Sequence, residues 1–102
     1  MIRAAFRYPA ADAAGFTVKG HSGFAENGAD IVCAAVSSAA YMAANTVTEI
    51  LGVAAQVKVK DGYLDFRFSG SKAAADIVRG LELHLTELRD QYPGFIQITT
   101  EV

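Results

Sequence analysis

The stretch VAAQVKVKDGYLDFRFSG, residues 53–70, decides the fold that the sequence predicts. Its two halves alternate apolar and polar residues with a period of two, which is typical of β-strands that bury one face. The Asp-Gly dipeptide at residues 61–62 favours a two-residue type I′ turn, in which both central residues have positive φ. The polar residues of this hairpin share one face: Lys58, Lys60, Asp65 and Arg67. A sheet with such a polar face is covered by helices on its other side only.

Helical patterns flank the hairpin on both sides. From Asp30 to Leu51 apolar residues recur every three or four positions, and Asp30 suits the N-cap while Gly52 suits the C-terminal exit. A second stripe of the same period runs from Ser71, a favourable N-cap, to about Tyr92. A Pro-Gly dipeptide then ends this helix. Both helices therefore have a start signal and a stop signal.

Alternating patterns at the two ends of the chain predict three more strands. IRAAFRY and GFTVKGH, residues 2–8 and 15–21, form a hairpin, and FIQITTEV, residues 95–102, is the last strand. The predicted fold class is α/β (α+β): a two-layer sandwich in the order ββαββαβ, with one mixed sheet and two helices on one face. We expect residues 1–102 to form a single domain, because a chain of 102 residues with 52% hydrophobic residues can bury one core.

Charge and composition argue against several classes of function. Nine basic and eleven acidic residues give a net charge of −2, so we expect no direct partnership with nucleic acid. We expect no membrane partner, because no apolar run approaches the roughly 18 residues that span a bilayer and no secretory signal is recognisable. A cytoplasmic location follows as an expectation. One cysteine with two distant histidines fits no usual zinc site, so no metal is expected.

The only cysteine, Cys33, lies near the start of the first predicted helix. If Asp30 caps that helix, Cys33 falls in the first turn, where unpaired backbone N–H groups stabilise a thiolate. His21 ends a strand, and a loop of about eight residues can bring a strand end beside a helix start. Gly23 and Gly28 would let that loop act as a lid. From the residues alone, a small buried cysteine, an ordinary histidine and plain turn glycines stay open as interpretations.

Other polar positions have simpler interpretations. Ser37, one turn after Cys33, is interpreted as a helix residue whose hydroxyl bonds back to a carbonyl. Tyr41 and Asn45 line a pocket, form a dimer contact or face solvent. His84 is interpreted as a surface or half-buried histidine.

Residues 20–37, GHSGFAENGADIVCAAVS, resemble the signature of the ribosomal-processing cysteine protease family, Prp. The matching features are the GH pair, a glycine-containing loop, D-[IV]-V-C-A and a serine one turn on. The predicted strands and helices also fall where that family has them. The resemblance implies a homodimeric cysteine endopeptidase that removes an aromatic-rich N-terminal extension from large-subunit ribosomal protein twenty-seven, with no metal or cofactor.

The resemblance also implies roles for individual residues. Cys33 matches the nucleophile and His21 the general base and acid, while Asp30, Ser37 and Gly20 match supporting positions. The residues of the implied mobile loop are Ser22, Gly23, Phe24 and Gly28. Two alternatives stay open: a non-catalytic dimeric module that binds a peptide or a ribosomal protein through its sheet edge, and a redox switch with one reactive thiol.

Overall fold

The computed structural model describes residues 1–20 and 29–101, with the backbone alone at residues 29 and 30. The helices and strands follow the predicted order: β1 Ile2–Ala10, β2 Ala13–Lys19, α1 Ala29–Asn45, β3 Gln56–Lys60, β4 Tyr63–Phe68, α2 Lys72–Gln91 and β5 Ile96–Glu101. The core between the sheet and the helices contains apolar side chains from both layers. The predicted sandwich with helices on one face is therefore confirmed.

The sheet has the strand order β3-β4-β2-β1-β5. Neighbouring strands are antiparallel except β1 and β5, which run parallel, so the sheet is mixed as expected. Phe6, Phe16 and Phe66 lie side by side on the helix-covered face, with successive ring centroids 6.2 and 5.3 Å apart. All three side chains are fully buried. These rings are where the two layers of the sandwich meet.

The hairpin at residues 61–62 is present, but its turn is not type I′. Lys60 pairs with Tyr63 across a two-residue turn, and Gly62 has a φ of 66°. No residue other than glycine has a positive φ in the part of the chain that is described, so Asp61 does not. A left-handed conformation costs an L-residue about 1–2 kcal/mol, which explains why only the glycine takes it.

The first helix begins earlier than predicted. Its first residue is Ala29, so Asp30 lies within the first turn and not at the N-cap, and Cys33 is the fifth helical residue. Strand β2 ends at Lys19. The predicted strand end at His21 lies outside the described residues.

The same helix also ends differently from the prediction. The α-helix stops at Asn45, and a π-helical turn, Thr46–Ile50, follows it. The Thr46 hydroxyl donates to the Met42 carbonyl at 2.7 Å, which satisfies an acceptor where the backbone ladder widens. Gly52, with a φ of 66°, provides the exit as predicted.

The segment Ile31–Ile50 contradicts one expectation from the sequence. By length and composition it is apolar enough to cross a membrane, although we expected no apolar run of that length. In this fold the segment lies on the sheet, where Val32, Val36 and Val47 are buried in the core. Its outer side is apolar too, with Met42 exposed, and this two-sided character accounts for the long apolar run.

Helix α2 matches its prediction closely. The Ser71 hydroxyl accepts a hydrogen bond from the backbone N–H of Ala74 at 3.0 Å, which is the predicted N-cap. Leu81 and Leu85 are buried in the predicted stripe. The Tyr8 hydroxyl donates to the Glu82 carboxylate at 2.5 Å and so ties the helix to β1.

The face of the sheet opposite the helices, called here the open face, contains one mostly buried carboxylate. Asp65 accepts hydrogen bonds from Thr17 at 2.5 Å, Arg7 at 3.1 Å and Arg67 at 2.8 Å. Burial alone would raise the pKa of Asp65. The hydrogen bonds from Thr17 and Arg67, with the charges of Arg67 and Arg7, outweigh burial and hold that pKa below its ordinary value of 3.8.

Asp65→Asn should therefore lower the free energy of unfolding at neutral pH by about 1–2 kcal/mol. Because the pKa of Asp65 is lower in the folded state, ionised Asp65 stabilises the fold above about pH 3.8, and this contribution is lost as pH falls through the folded-state pKa. Urea unfolding at about pH 7 and about pH 3 measures the difference between wild type and variant. A difference that is the same at both pH values would contradict the assignment.

Candidate active site

Cys33 lines a small groove between α1 and one end of the sheet. The groove has a volume of about 100 Å³. Its polar and aromatic lining residues, with the glycine that directly follows β2, are Gly20, Cys33, Ser37, Tyr41, Lys60 and Tyr63. The Cys33 side chain is half-buried and packs against the core. Cys33 thus lies at the wall of the groove, partly sheltered by the core.

Three of these residues come from one face of α1. Cys33, Ser37 and Tyr41 follow one another at intervals of four residues. The prediction that Cys33 lies in the first turn is wrong, and the influence of unpaired N–H groups falls off beyond that turn. Side chains on a helix tilt toward its N-terminus, however, so the thiol is directed over the turn that begins at Ala29.

Gly20 forms another part of the groove wall. Its φ is 97°, and its N–H donates to the Gly62 carbonyl at 2.9 Å. A Cβ at this position would lie 2.5 Å from the Met1 carbonyl oxygen, closer than real Cβ atoms approach a backbone atom. Both the conformation and the close approach require glycine here.

His21 and the loop residues Ser22, Gly23, Phe24 and Gly28 lie outside the described residues, and so does the side chain of Asp30. The structure nevertheless brings Gly20, the residue directly before His21, to the same groove as Cys33. Cys33 and Ser37 therefore share this groove with Gly20, the residue from which the chain continues to His21.

The remaining predicted positions separate clearly. In the part of the chain that is described, the Ser37 hydroxyl makes no hydrogen bond, so the expected bond back to a carbonyl is absent. Tyr41 lines the groove with 44% of its surface exposed, whereas Asn45 is exposed and does not line it. His84 is exposed on α2, as predicted.

Sequence reasoning missed Lys60 and Tyr63. They flank the turn at residues 61–62, and the Lys60 ammonium lies 5.9 Å from the centroid of the Tyr63 ring. The pairing of Lys19 with Tyr63 places that turn beside the end of β2. The signal that would have found them is the register between β2 and β4, which the sequence does not show.

The groove holds a thiol, hydroxyls and backbone amides. Within residues 1–20 and 29–101, no three His, Cys, Asp or Glu side chains converge as metal ligands would. A half-buried thiol at the wall of an open groove can attack a bound carbonyl when a nearby base takes its proton.

Comparisons with known proteins agree with that chemistry. A family model described as the cysteine protease Prp matches residues 1–97. A curated relative, the ribosomal processing cysteine protease Prp of Bacillus subtilis (strain 168), is 28% identical over 95 residues, with 85% of each chain covered.

Solved structures show the same fold. The essential ribosomal processing protease Prp from S. aureus, in complex with a covalently linked product peptide, superposes with a TM-score of 0.88 at 20% identity, over 99% of this chain and 100% of that one. The same protease in complex with a substrate peptide gives 0.85 at 19% identity, with the same coverage. SMU.848 from Streptococcus mutans gives 0.68 at 28% identity, over 99% of this chain and 96% of that one.

Proposed function

Because this chain belongs to the family of the cysteine protease Prp, we propose that it removes the N-terminal extension of large-subunit ribosomal protein twenty-seven during ribosome maturation. The curated relative carries the name of a ribosomal processing protease, which supports this substrate class. Complexes of the S. aureus protease with substrate and product peptides support a peptide ligand in this chain too. Membership of a protease family argues against the non-catalytic binding module.

Cys33 is the proposed nucleophile, and its position carries the proposal. A cysteine protease needs a reactive thiol, and this chain has one cysteine, which lines an open groove. Of the two histidines, His84 lies exposed on α2 and lines the groove between the two helices, away from Cys33. His21 directly follows Gly20, which shares the groove with Cys33. We therefore assign the general base to His21.

The proposed reaction proceeds through a thioester. The His21 imidazole takes the thiol proton, and the Cys33 sulfur attacks the scissile carbonyl carbon to form a tetrahedral oxyanion. Collapse breaks the C–N bond, and His21 gives its proton to the leaving amine. Water, deprotonated by His21, then attacks the thioester, releases the peptide carboxylate and restores the thiol.

Supporting roles follow from position in the groove. Backbone N–H groups in the first turn of α1 are the proposed oxyanion donors, and the hydroxyl of Ser37, a residue that lines the groove, is a further proposed donor. Asp30 lies in the same turn. Its proposed role is to orient His21. Gly20 fixes the strand end from which the chain passes to His21.

The aromatic lining of the groove fits an aromatic-rich substrate. Tyr41 and Tyr63 are both among its lining residues. Aromatic pairs add about 0.5–1.5 kcal/mol beyond the burial of their area, so an aromatic substrate side chain beside these rings would gain affinity. The proposal therefore expects selectivity for aromatic residues near the cut.

Mass spectrometry of a peptide that contains the ribosomal extension tests the function. Wild type should cut one bond, and the matched peptide with alanine in place of its aromatic residues should be cut much more slowly. Equal cleavage of an unrelated peptide that contains none of the extension would support protease activity but contradict the proposed substrate. Tight binding of the extension peptide with no cleavage would instead favour the non-catalytic module.

The homodimer belongs to the same proposal. Strand β3 is at one edge of the sheet, and Val57 and Val59 are about half exposed there, 52% and 53%, although they are on the helix-covered face. A second copy would cover this apolar edge. Sedimentation velocity at micromolar concentration tests it, since a monomer there would contradict it. The cytoplasmic location stays a prediction.

A further inference from the structure

The open face of the sheet carries most of the positive charge of the protein. Cross-strand register places six basic residues on it: Arg3, Arg7, Lys19, Lys58, Lys60 and Arg67. The chain has nine basic residues in all. On the described strands of this face only Asp65 and Glu101 are acidic, although the chain has eleven acidic residues. The net charge of −2 therefore hides a strongly positive surface, and we propose that this surface binds the phosphate backbone of RNA.

One pair of like charges stands directly opposite on this face. Arg3 pairs with Lys19 across β1 and β2, and Lys19 pairs in turn with Tyr63, which neighbours Lys60. Within the described part of the chain, neither Arg3 nor Lys19 has an ion-pair partner. Like charges opposite each other destabilise a sheet. An anionic ligand beside Arg3 and Lys19 would therefore relieve a repulsion that no side chain in the described part of the fold relieves.

The acidic residue at the centre of the face does not neutralise it. Asp65 is shared by Arg7 and Arg67, so one carboxylate serves two guanidinium groups and a positive charge is left over. The Arg67 side chain is 55% exposed. Guanidinium groups present several N–H donors in a plane that matches the oxygens of a phosphate.

The shape of the face favours a nucleic-acid backbone over an acidic peptide. The cations extend over four strands, about 14 Å across at the usual strand spacing. Four of them, Arg3, Arg7, Lys19 and Arg67, line a groove of about 470 Å³. The positions between them are small or neutral, for example Ala5, Gly15 and Thr17. Peptide recognition relies on pockets for anchoring side chains, whereas phosphate contacts need only well-placed cations.

The choice of RNA over DNA rests on the proposed function, in which the substrate is a ribosomal protein. Tyr63 lines both the open face and the Cys33 groove, and Lys60 lines the groove from the adjacent strand. RNA on the open face would therefore lie at the rim of the groove and hold the enzyme beside a ribosomal substrate. The expectation of no nucleic-acid partner was based on net charge alone, without the distribution of that charge.

Fluorescence anisotropy with a labelled RNA hairpin of mixed sequence tests the proposal. For about four phosphate contacts, Kd should rise about 100-fold between about 50 mM and 200 mM salt. Arg3→Glu combined with Lys58→Gln should raise Kd by about tenfold or more. This variant should fold, because a glutamate at position 3 faces Lys19 and replaces repulsion by attraction.

The matched control is Arg89→Glu combined with Lys72→Gln. These residues are on α2 or at its start, so the variant changes the net charge equally but leaves the open face intact. Its Kd should rise less than about threefold. Equal weakening by both variants, tighter binding of a DNA duplex of the same sequence, or tighter binding of polyglutamate would overturn the proposal.

Binding and cleavage are measured separately so that the two proposals can fail independently. The Cys33→Ala protein should bind the hairpin as wild type does, and the Arg3→Glu, Lys58→Gln protein should cut the isolated extension peptide at the wild-type rate. RNA binding without peptide cleavage by wild type would contradict the proposed function only. Peptide cleavage without salt-dependent RNA binding would contradict this inference only.

Discussion

Cys33→Ala should reduce cleavage of the extension peptide to the uncatalysed rate, and His21→Ala should lower kcat/KM by about 10³-fold. In the proposed reaction the Cys33 thiol forms the covalent intermediate, and it has no substitute because the chain has no other cysteine. General base and acid catalysis by a positioned histidine is worth about 10²–10⁴-fold. Initial rates with wild type and each variant measure both effects.

His84→Ala is the matched control for His21→Ala. It removes the other histidine, which is exposed on α2, and should leave kcat/KM within about twofold of wild type. The rate of Cys33 alkylation against pH adds a readout that structural damage would not produce. The profile should change in His21→Ala and stay as in wild type in His84→Ala. An unchanged profile in His21→Ala would contradict the assignment of a Cys33/His21 dyad and indicate an isolated thiol.

Gly20→Ala should lower the free energy of unfolding by about 3 kcal/mol and abolish most activity. Gly20 has a φ of 97°, which strains any L-residue, and the new Cβ would lie 2.5 Å from the Met1 carbonyl oxygen. Relief of that contact must move the end of β2, from which the chain passes to His21. Urea unfolding and peptide cleavage measure the two effects.

Two other glycines separate the causes. Gly52 has a φ of 66° with no atom within 4 Å of a built Cβ, so Gly52→Ala should show the backbone strain alone, about 1 kcal/mol. Gly80 lies in α2 with the same open space and no positive φ, so Gly80→Ala should stabilise the helix by about 0.5–1 kcal/mol. If Gly20→Ala is no more harmful than Gly52→Ala, the contact with Met1 does not constrain the site.

The fold could be predicted from the sequence because its signals are local. Alternation with a period of two identifies each strand and its buried face, and the Ser71 cap and the stripe through Leu85 define α2. The prediction of a type I′ turn was wrong because an Asp-Gly pair also suits a turn in which glycine alone has positive φ. The predicted start of α1 was wrong because an aspartate such as Asp30 is as favourable in the first turn of a helix as at its N-cap.

The candidate site could be predicted only in part. Cys33, Ser37 and Gly20 were recognised from one continuous stretch of sequence, and the structure brings all three to one groove. Lys60 and Tyr63 come to that groove through the pairing of β2 with β4, two strands that are separated in the chain by the whole of α1. Such register depends on tertiary packing, and so does the sorting of charge onto the open face.

The parallel pairing of β1 with β5 also bears on how the molecule folds. Ile2 pairs with Ile96, so nearly the whole chain must be in place before this ladder can form. Contacts between such distant residues close a large loop and slow folding, while their effect on final stability is small. Ile2 also lines the Cys33 groove. We therefore expect the Cys33 groove, the proposed active site, to be completed late in folding, so that a partly synthesised chain would be inactive.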